Sequence, residues 1–123
     1  DPNEIALVIS AIGNHDESTA APVNAVAAAL ILADKTDVRR SRVRNRNHTA
    51  FDIHDRVNYA VEESKTYFNS DRTAFVLELT IDTSMCPVMD YFEIFLGRMS
   101  LCRRAAEFLK IRFELIINGQ RIL

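Results

Sequence analysis

Glycine is scarce, cysteine is scarcer, and no long apolar run interrupts this chain of 123 residues. The three glycines, Gly13, Gly97 and Gly119, stand far apart, so no phosphate-cradling glycine loop is present. Cys86 and Cys102 lack a CxxC spacing and histidine-rich neighbours. That excludes a disulfide framework and a zinc knuckle, and leaves two half-buried thiols in a cytoplasmic chain as the expectation. The longest apolar run, Ala25 to Ala33, falls well short of the roughly 20 residues a membrane-spanning helix requires, so no membrane contact is expected. The start, Asp1-Pro2-Asn3-Glu4, has neither an initiator Met nor an apolar leader, and reads as a piece cut from something longer without a signal peptide. Charge of one sign is lacking too: 15 Lys and Arg stand against 17 Asp and Glu. A general nucleic-acid coat is therefore not expected, and any basic site must be local. What is there, 48% hydrophobic and 26% charged residues, is globular composition sufficient for one core, or one core with a small lobe.

Ile5, Val8, Ile9 and Ile12 recur at helical spacing and are followed by Gly13-Asn14, which predicts a buried helix face and a stop beside His15. Pro22 suits the first turn of a second helix, because its missing N–H would have no partner there. That helix should run from about Pro22 to Asp37, and its many alanines let neighbours approach closely, as for a central buried helix. From Arg39 to Asn47 the chain turns basic and aperiodic. A third helical pattern opens at Thr49 and places Ile53, Val57 and Ala60 on one face. After Glu62 the period changes to two, with Tyr67 and Phe68 before Asn69-Ser70-Asp71-Arg72 and Phe75, Leu77, Leu79 and Ile81 after it, a hairpin signature. Pro87 then starts a long helix, and Arg112 to Ile117 forms a strand before Asn118-Gly119. The expected fold class is α+β, with helices over residues 1–61 and a small β-β-α-β lobe over 62–123, the boundary lying near residues 60–65.

His15 follows a helix end and Asp34 lies inside the next helix, so a helix-turn-helix return can bring imidazole and carboxylate together. Such a nitrogen and oxygen pair suits a hard divalent metal, and a lone carboxylate in an Ala-rich helix is costly unless it is paired or bound to a cation.

The string Ala11-Ile12, then His15 after two residues, then an Ala-rich helix closing on Leu32-Ala33-Asp34-Lys35-Thr36-Asp37 resembles the C-terminal half of the HD superfamily of metal-dependent phosphohydrolases. The resemblance spans residues 1 to about 45. It implies an all-helical domain whose divalent metals, Mn, Fe, Mg or similar, are held by a His, a His-Asp pair and a later Asp. It matches His15 to the later His and Asp34 to the final Asp, with the earlier ligands expected upstream of Asp1. It further implies a phosphorylated, nucleotide-like small molecule as substrate and attack by metal-activated water on phosphorus. A piece holding half of such a shell is expected to be inactive alone, and no catalytic residue beyond the metal ligands is identified.

Other residues carry paired readings. Asp16 and Glu17 either reach a metal through water or act as a base, or simply favour the dipole of the next helix. Lys35 either faces a substrate phosphate or pairs with a neighbouring carboxylate. Arg39, Arg40, Arg42, Arg44 and Arg46 form a run that either gathers phosphate, from substrate or an RNA backbone, or is a solvated loop; Arg39 and Arg40, nearest Asp34, are the chosen substrate contacts. His48 and His54 read as surface histidines, and Tyr91, Phe92 and Phe95 as core packing. No nucleophile elbow supports a Ser-His-Asp triad. The competing function is a non-catalytic regulatory or assembly module that binds a nucleotide or protein partner. Its C-terminal sheet would mediate homo-oligomerisation through an exposed last strand ending at Leu123.

Overall fold

A computed structural model describes residues 1–16, 19–44, 47 and 52–123. Helix α1 (Pro2–Gly13) is capped by Asp1, whose carboxylate accepts from the Asn3 N–H at 2.9 Å, and it stops at Asn14, immediately before His15. Helix α2 (Ala25–Lys35) begins at Asn24, not at Pro22, because the Asn24 side chain accepts from the Ala27 N–H at 2.8 Å and so satisfies one of the unpaired donors of the first turn. At its other end the Thr36 hydroxyl donates back to the Leu32 carbonyl at 2.6 Å. A single 3-10 turn, Arg40–Arg42, leads toward the short helix α3 (Ile53–Tyr59), capped by Asp52. Thr49, proposed above as the start of this helix, lies outside the described residues.

Strands β1 (Val61–Phe68) and β2 (Ala74–Ile81) form the expected antiparallel hairpin. The Asn69 side chain holds the turn by accepting from the Thr73 and Ala74 N–H groups. Helix α4 (Val88–Phe108) follows Pro87 and returns the chain to β3 (Arg112–Ile117), which lies parallel to β2. A further strand, β4 (Gln120–Arg121), completes a four-stranded sheet of order β1-β2-β3-β4. The turn before it has positive φ at Asn118 (50°) and Gly119 (79°), the backbone that Asn-Gly tolerates and most residues do not. The Asn118 side chain also takes the Ile81 N–H at 2.7 Å and donates to the Ile81 carbonyl at 3.1 Å, tying this turn to the end of β2.

The fold class is α+β as expected: helices first, then a sheet with one crossing helix. Period two places Phe75, Leu77, Leu79 and Ile81 with Phe113, Leu115 and Ile117 on the side of α4. Their core includes Tyr91, Phe95, Met99 and Cys102 of α4 and Ala28, Ile31 and Leu32 of α2. The boundary proposed near residues 60–65 falls at Ala60 and Val61, which belong to that same buried cluster. Both cysteines are fully buried, not half-buried.

The expectation for α1 is corrected as well. The apolar face of α1 is not buried: Ile5, Val8, Ile9 and Ile12 are at least half exposed, and only Ala11 is inside. The helix meets α2 along a narrow strip, and no described residue packs on its remaining apolar surface. Periodicity identifies a face that would gain from a partner; it does not supply one. The last strand is exposed at one edge of the sheet, as expected, but β4 has only two residues, and the longer edge strand among the described residues is β1. No described helix is long and apolar enough to cross a membrane.

Candidate functional site

The stop of α1 at Asn14 places His15 on the connection to α2, half-buried, with Nδ1 in a hydrogen bond to the Ile12 carbonyl. A carbonyl only accepts, so Nδ1 is the donor in that bond and Nε2 is left outside it. Asp34 lies in the last turn of α2, half-buried. Burial opposes its charge, but the hydrogen bond from Lys35 and the fields of Lys35, Arg42 and His15 outweigh that and hold the carboxyl below its ordinary range. The helix-turn-helix return therefore does bring the imidazole into the electrostatic neighbourhood of the carboxylate.

The same carboxylate already has partners. Lys35 Nζ lies 2.8 Å from Asp34 Oδ2, and an Arg42 guanidinium nitrogen lies 3.9 Å from Oδ1. Lys35 is 6% exposed, so its ammonium is turned into the protein, where a carboxylate is the natural partner, and away from an approaching phosphate. Arg39 is exposed and donates to Asp37 at 2.8 Å; that bond, against a small burial penalty, holds Asp37 below its ordinary range. Arg40 is committed elsewhere. Its Nε donates to the Tyr59 carbonyl at 2.6 Å and its guanidinium stacks 4.4 Å from the Tyr59 ring centroid, fastening the 3-10 turn to α3. Of the two arginines chosen as substrate contacts, only Arg39 faces solvent.

Among the described residues no three His, Cys, Asp or Glu side chains come together as a metal shell. His54 is exposed, as expected, and Glu17, Arg46 and His48 lie outside the described residues. Cys102, across from Lys35 on α4, is no nucleophile. Burial pushes its thiol up to about 12 despite the nearby Lys35 and Arg98 charges, so it stays protonated.

Sequence reading did not find a concavity on the helix side. Two adjoining hollows of about 300 and 390 Å³ share Ala33, Thr36 and Thr66, and form a groove between α2 and the edge strand β1. One end is polar, beside Asp37, Arg39 and Ser64; the other is apolar, beside Phe68 and Phe75. The signal was present in Ala29, Ala33 and Thr36, small residues on one helical row that leave space where a larger side chain would fill it. At 100° per residue Asp34 sits about 140° round α2 from that row, so the groove and the His15–Asp34 corner are separate features.

No family model matches this chain, and no curated protein or solved structure matches it either.

Proposed function

We propose that the chain is part of an HD-type, metal-dependent phosphohydrolase in which His15 and Asp34 are two of the metal ligands. One observation carries the reading: residues 19 positions apart in sequence come close enough for His15, whose Nδ1 bonds the Ile12 carbonyl, to act electrostatically on Asp34, whose carboxyl is held below its ordinary range. The donor set is of the hard nitrogen and oxygen kind that Mn, Fe or Mg accepts. The remaining ligands would come from outside the described residues. A bound divalent cation would supply Lewis-acid activation of water and of a phosphoryl oxygen. The chain's own residues supply the rest: the Ile12 carbonyl fixes the tautomer of His15, Lys35 orients Asp34, and Arg39 gives an exposed guanidinium for an anionic substrate.

Titration of Mn²⁺ into the protein and its His15→Ala and Asp34→Ala variants tests this, followed by phosphodiester hydrolysis in the full-length protein. Loss of bound Mn²⁺ in both variants is expected, and unchanged binding in both overturns the proposal.

A second reading, the non-catalytic assembly or nucleotide-binding module, is favoured by one observation. The Lys35 ammonium at 2.8 Å already neutralises Asp34, so the corner is electrically complete without a cation. It predicts that Asp34→Asn lowers stability and leaves Mn²⁺ retention as it was.

A further inference from the structure

We propose that the outer edge of β1 is a self-association surface, pairing antiparallel with β1 of a second copy about a two-fold axis at Ser64. The proposal does not depend on whether His15 and Asp34 take a metal, so either can fail alone.

The argument starts from hydrogen-bond parity. The Asn69 N–H donates to the Ala74 carbonyl at 3.1 Å, and the pairing stays in one register from Glu63↔Thr80 to Phe68↔Phe75. Opposed residues of an antiparallel ladder alternate between exchanging both backbone bonds and exchanging none. Glu63, Lys65 and Tyr67 thus bond inward to β2, and Ser64, Thr66 and Phe68 turn their backbone N–H and C=O groups outward. The sheet ends at β1, and no described residue pairs with those groups. An unpaired strand edge is a template for another strand, and it is usually blunted by proline, a short length, a bulge or charge; β1 has eight residues and no proline, its bulge lies at one end, and the charges beyond it, Glu63 and Lys65, are of opposite sign. Its one interruption, the register shift between Val61 and Glu63, bounds the available stretch at one end.

Charge selects the partner and the register. Glu63 and Lys65 project from the open face of the sheet as a loose ion pair, 3.6 Å apart, each with about two-thirds of its side chain exposed and so free to exchange partners with a second copy. An axis at Ser64 sets Glu63 against the partner's Lys65, and Lys65 against the partner's Glu63, in the closely spaced non-hydrogen-bonded positions where side chains interact best. An axis at Lys65 would oppose two lysines, and one at Thr66 leaves both charges unmatched. The sequence Glu-Ser-Lys is complementary to its own antiparallel copy. On the other face, exposed Phe68 and Thr66 border the groove against α2, so an added strand covers apolar surface there as well.

Sedimentation equilibrium over a concentration series tests the surface. Wild type should associate reversibly. Glu63→Lys alone and Lys65→Glu alone each turn both cross-strand attractions into repulsions, and each should weaken the dimer roughly tenfold. The double variant Glu63→Lys/Lys65→Glu restores the attraction and should recover wild-type association. Thr66→Pro removes an outward N–H at a position where an edge strand tolerates proline, and should give a monomer with unchanged helix and sheet content. A protein still monomeric at about 1 mM, the weakest association worth the name, overturns the proposal. So does a dimer indifferent to all of these substitutions, which would place the contact elsewhere, such as the bare apolar side of α1.

Discussion

Tyr91→Phe should stabilise this protein, against the usual direction of a core substitution. Tyr91 is fully buried on α4, its ring 5.0 Å from that of Phe95 and 6.4 Å from that of Phe92, centroid to centroid. Its hydroxyl has no hydrogen-bond partner among the described residues. Burial pushes the phenol well above its ordinary range, with the nearby Arg98 charge opposing only in part. An unpaired buried hydroxyl costs about 1–3 kcal/mol, since the water that bonded it in the unfolded chain is not replaced. Removing the oxygen keeps the ring and leaves an atom-sized void of about 10–15 Å³, which at about 24 cal/mol per Å³ costs roughly 0.3 kcal/mol. The net gain is about 1 kcal/mol or more. Urea denaturation should show a midpoint raised by about 0.5 M at unchanged slope, and thermal denaturation a midpoint raised by about 4 °C. A Tyr91→Phe variant less stable by about 0.5 kcal/mol would refute the reasoning, because the hydroxyl would then be earning a hydrogen bond.

Two further outcomes follow from buried and strained groups elsewhere in the fold. Burial pushes the Cys102 thiol up to about 12, well above its ordinary range, so the unfolded chain ionises first as pH rises. Its contribution is complete below about pH 9 and lost progressively toward pH 12; Cys102→Ala should flatten the fall in stability measured by urea titration between about pH 9 and 11, and an unaltered slope would contradict the burial. Asn118→Ala removes both bonds to Ile81 and leaves an L residue at φ 50°, for an expected loss of about 2–3 kcal/mol. Asn118→Gly should recover about 1 kcal/mol of that by relieving the backbone alone, and equal losses in the two variants would show that the conformation carries no strain.

Much of the local structure could be read from residue order because it depends on near neighbours. Gly13-Asn14 stops α1, Asn69 to Arg72 turns the hairpin, Pro87 opens α4, and Asn118-Gly119 turns the chain after β3. Each acts through its own φ preferences or a side chain that bonds its own backbone. That His15 approaches Asp34 closely enough to act on it electrostatically was legible for a similar reason, since one short connection between consecutive helices sets their approach. The start of α2 was not legible from Pro22, because the capping bond from the Asn24 side chain to the Ala27 N–H sets the first turn. The second role of Asp34 was only half legible. Lys35 was recognised as a possible ion-pair partner, but its burial depends on α4, more than fifty residues further along the chain.

Sequence order alone determined the α+β class, the hairpin, the long helix and the absence of a membrane-spanning run, all consequences of periodicity and turn chemistry over a few residues. Tertiary structure decided what order cannot encode locally: that the apolar face of α1 stays bare, that Arg40 is spent on Tyr59, that a groove opens between α2 and β1, and that β1 rather than the final strand forms the long free edge. Each of these depends on which distant surface arrives opposite a given side chain. A hydrophobic period or an arginine run specifies what a surface can bind, and only the packed chain specifies what it meets.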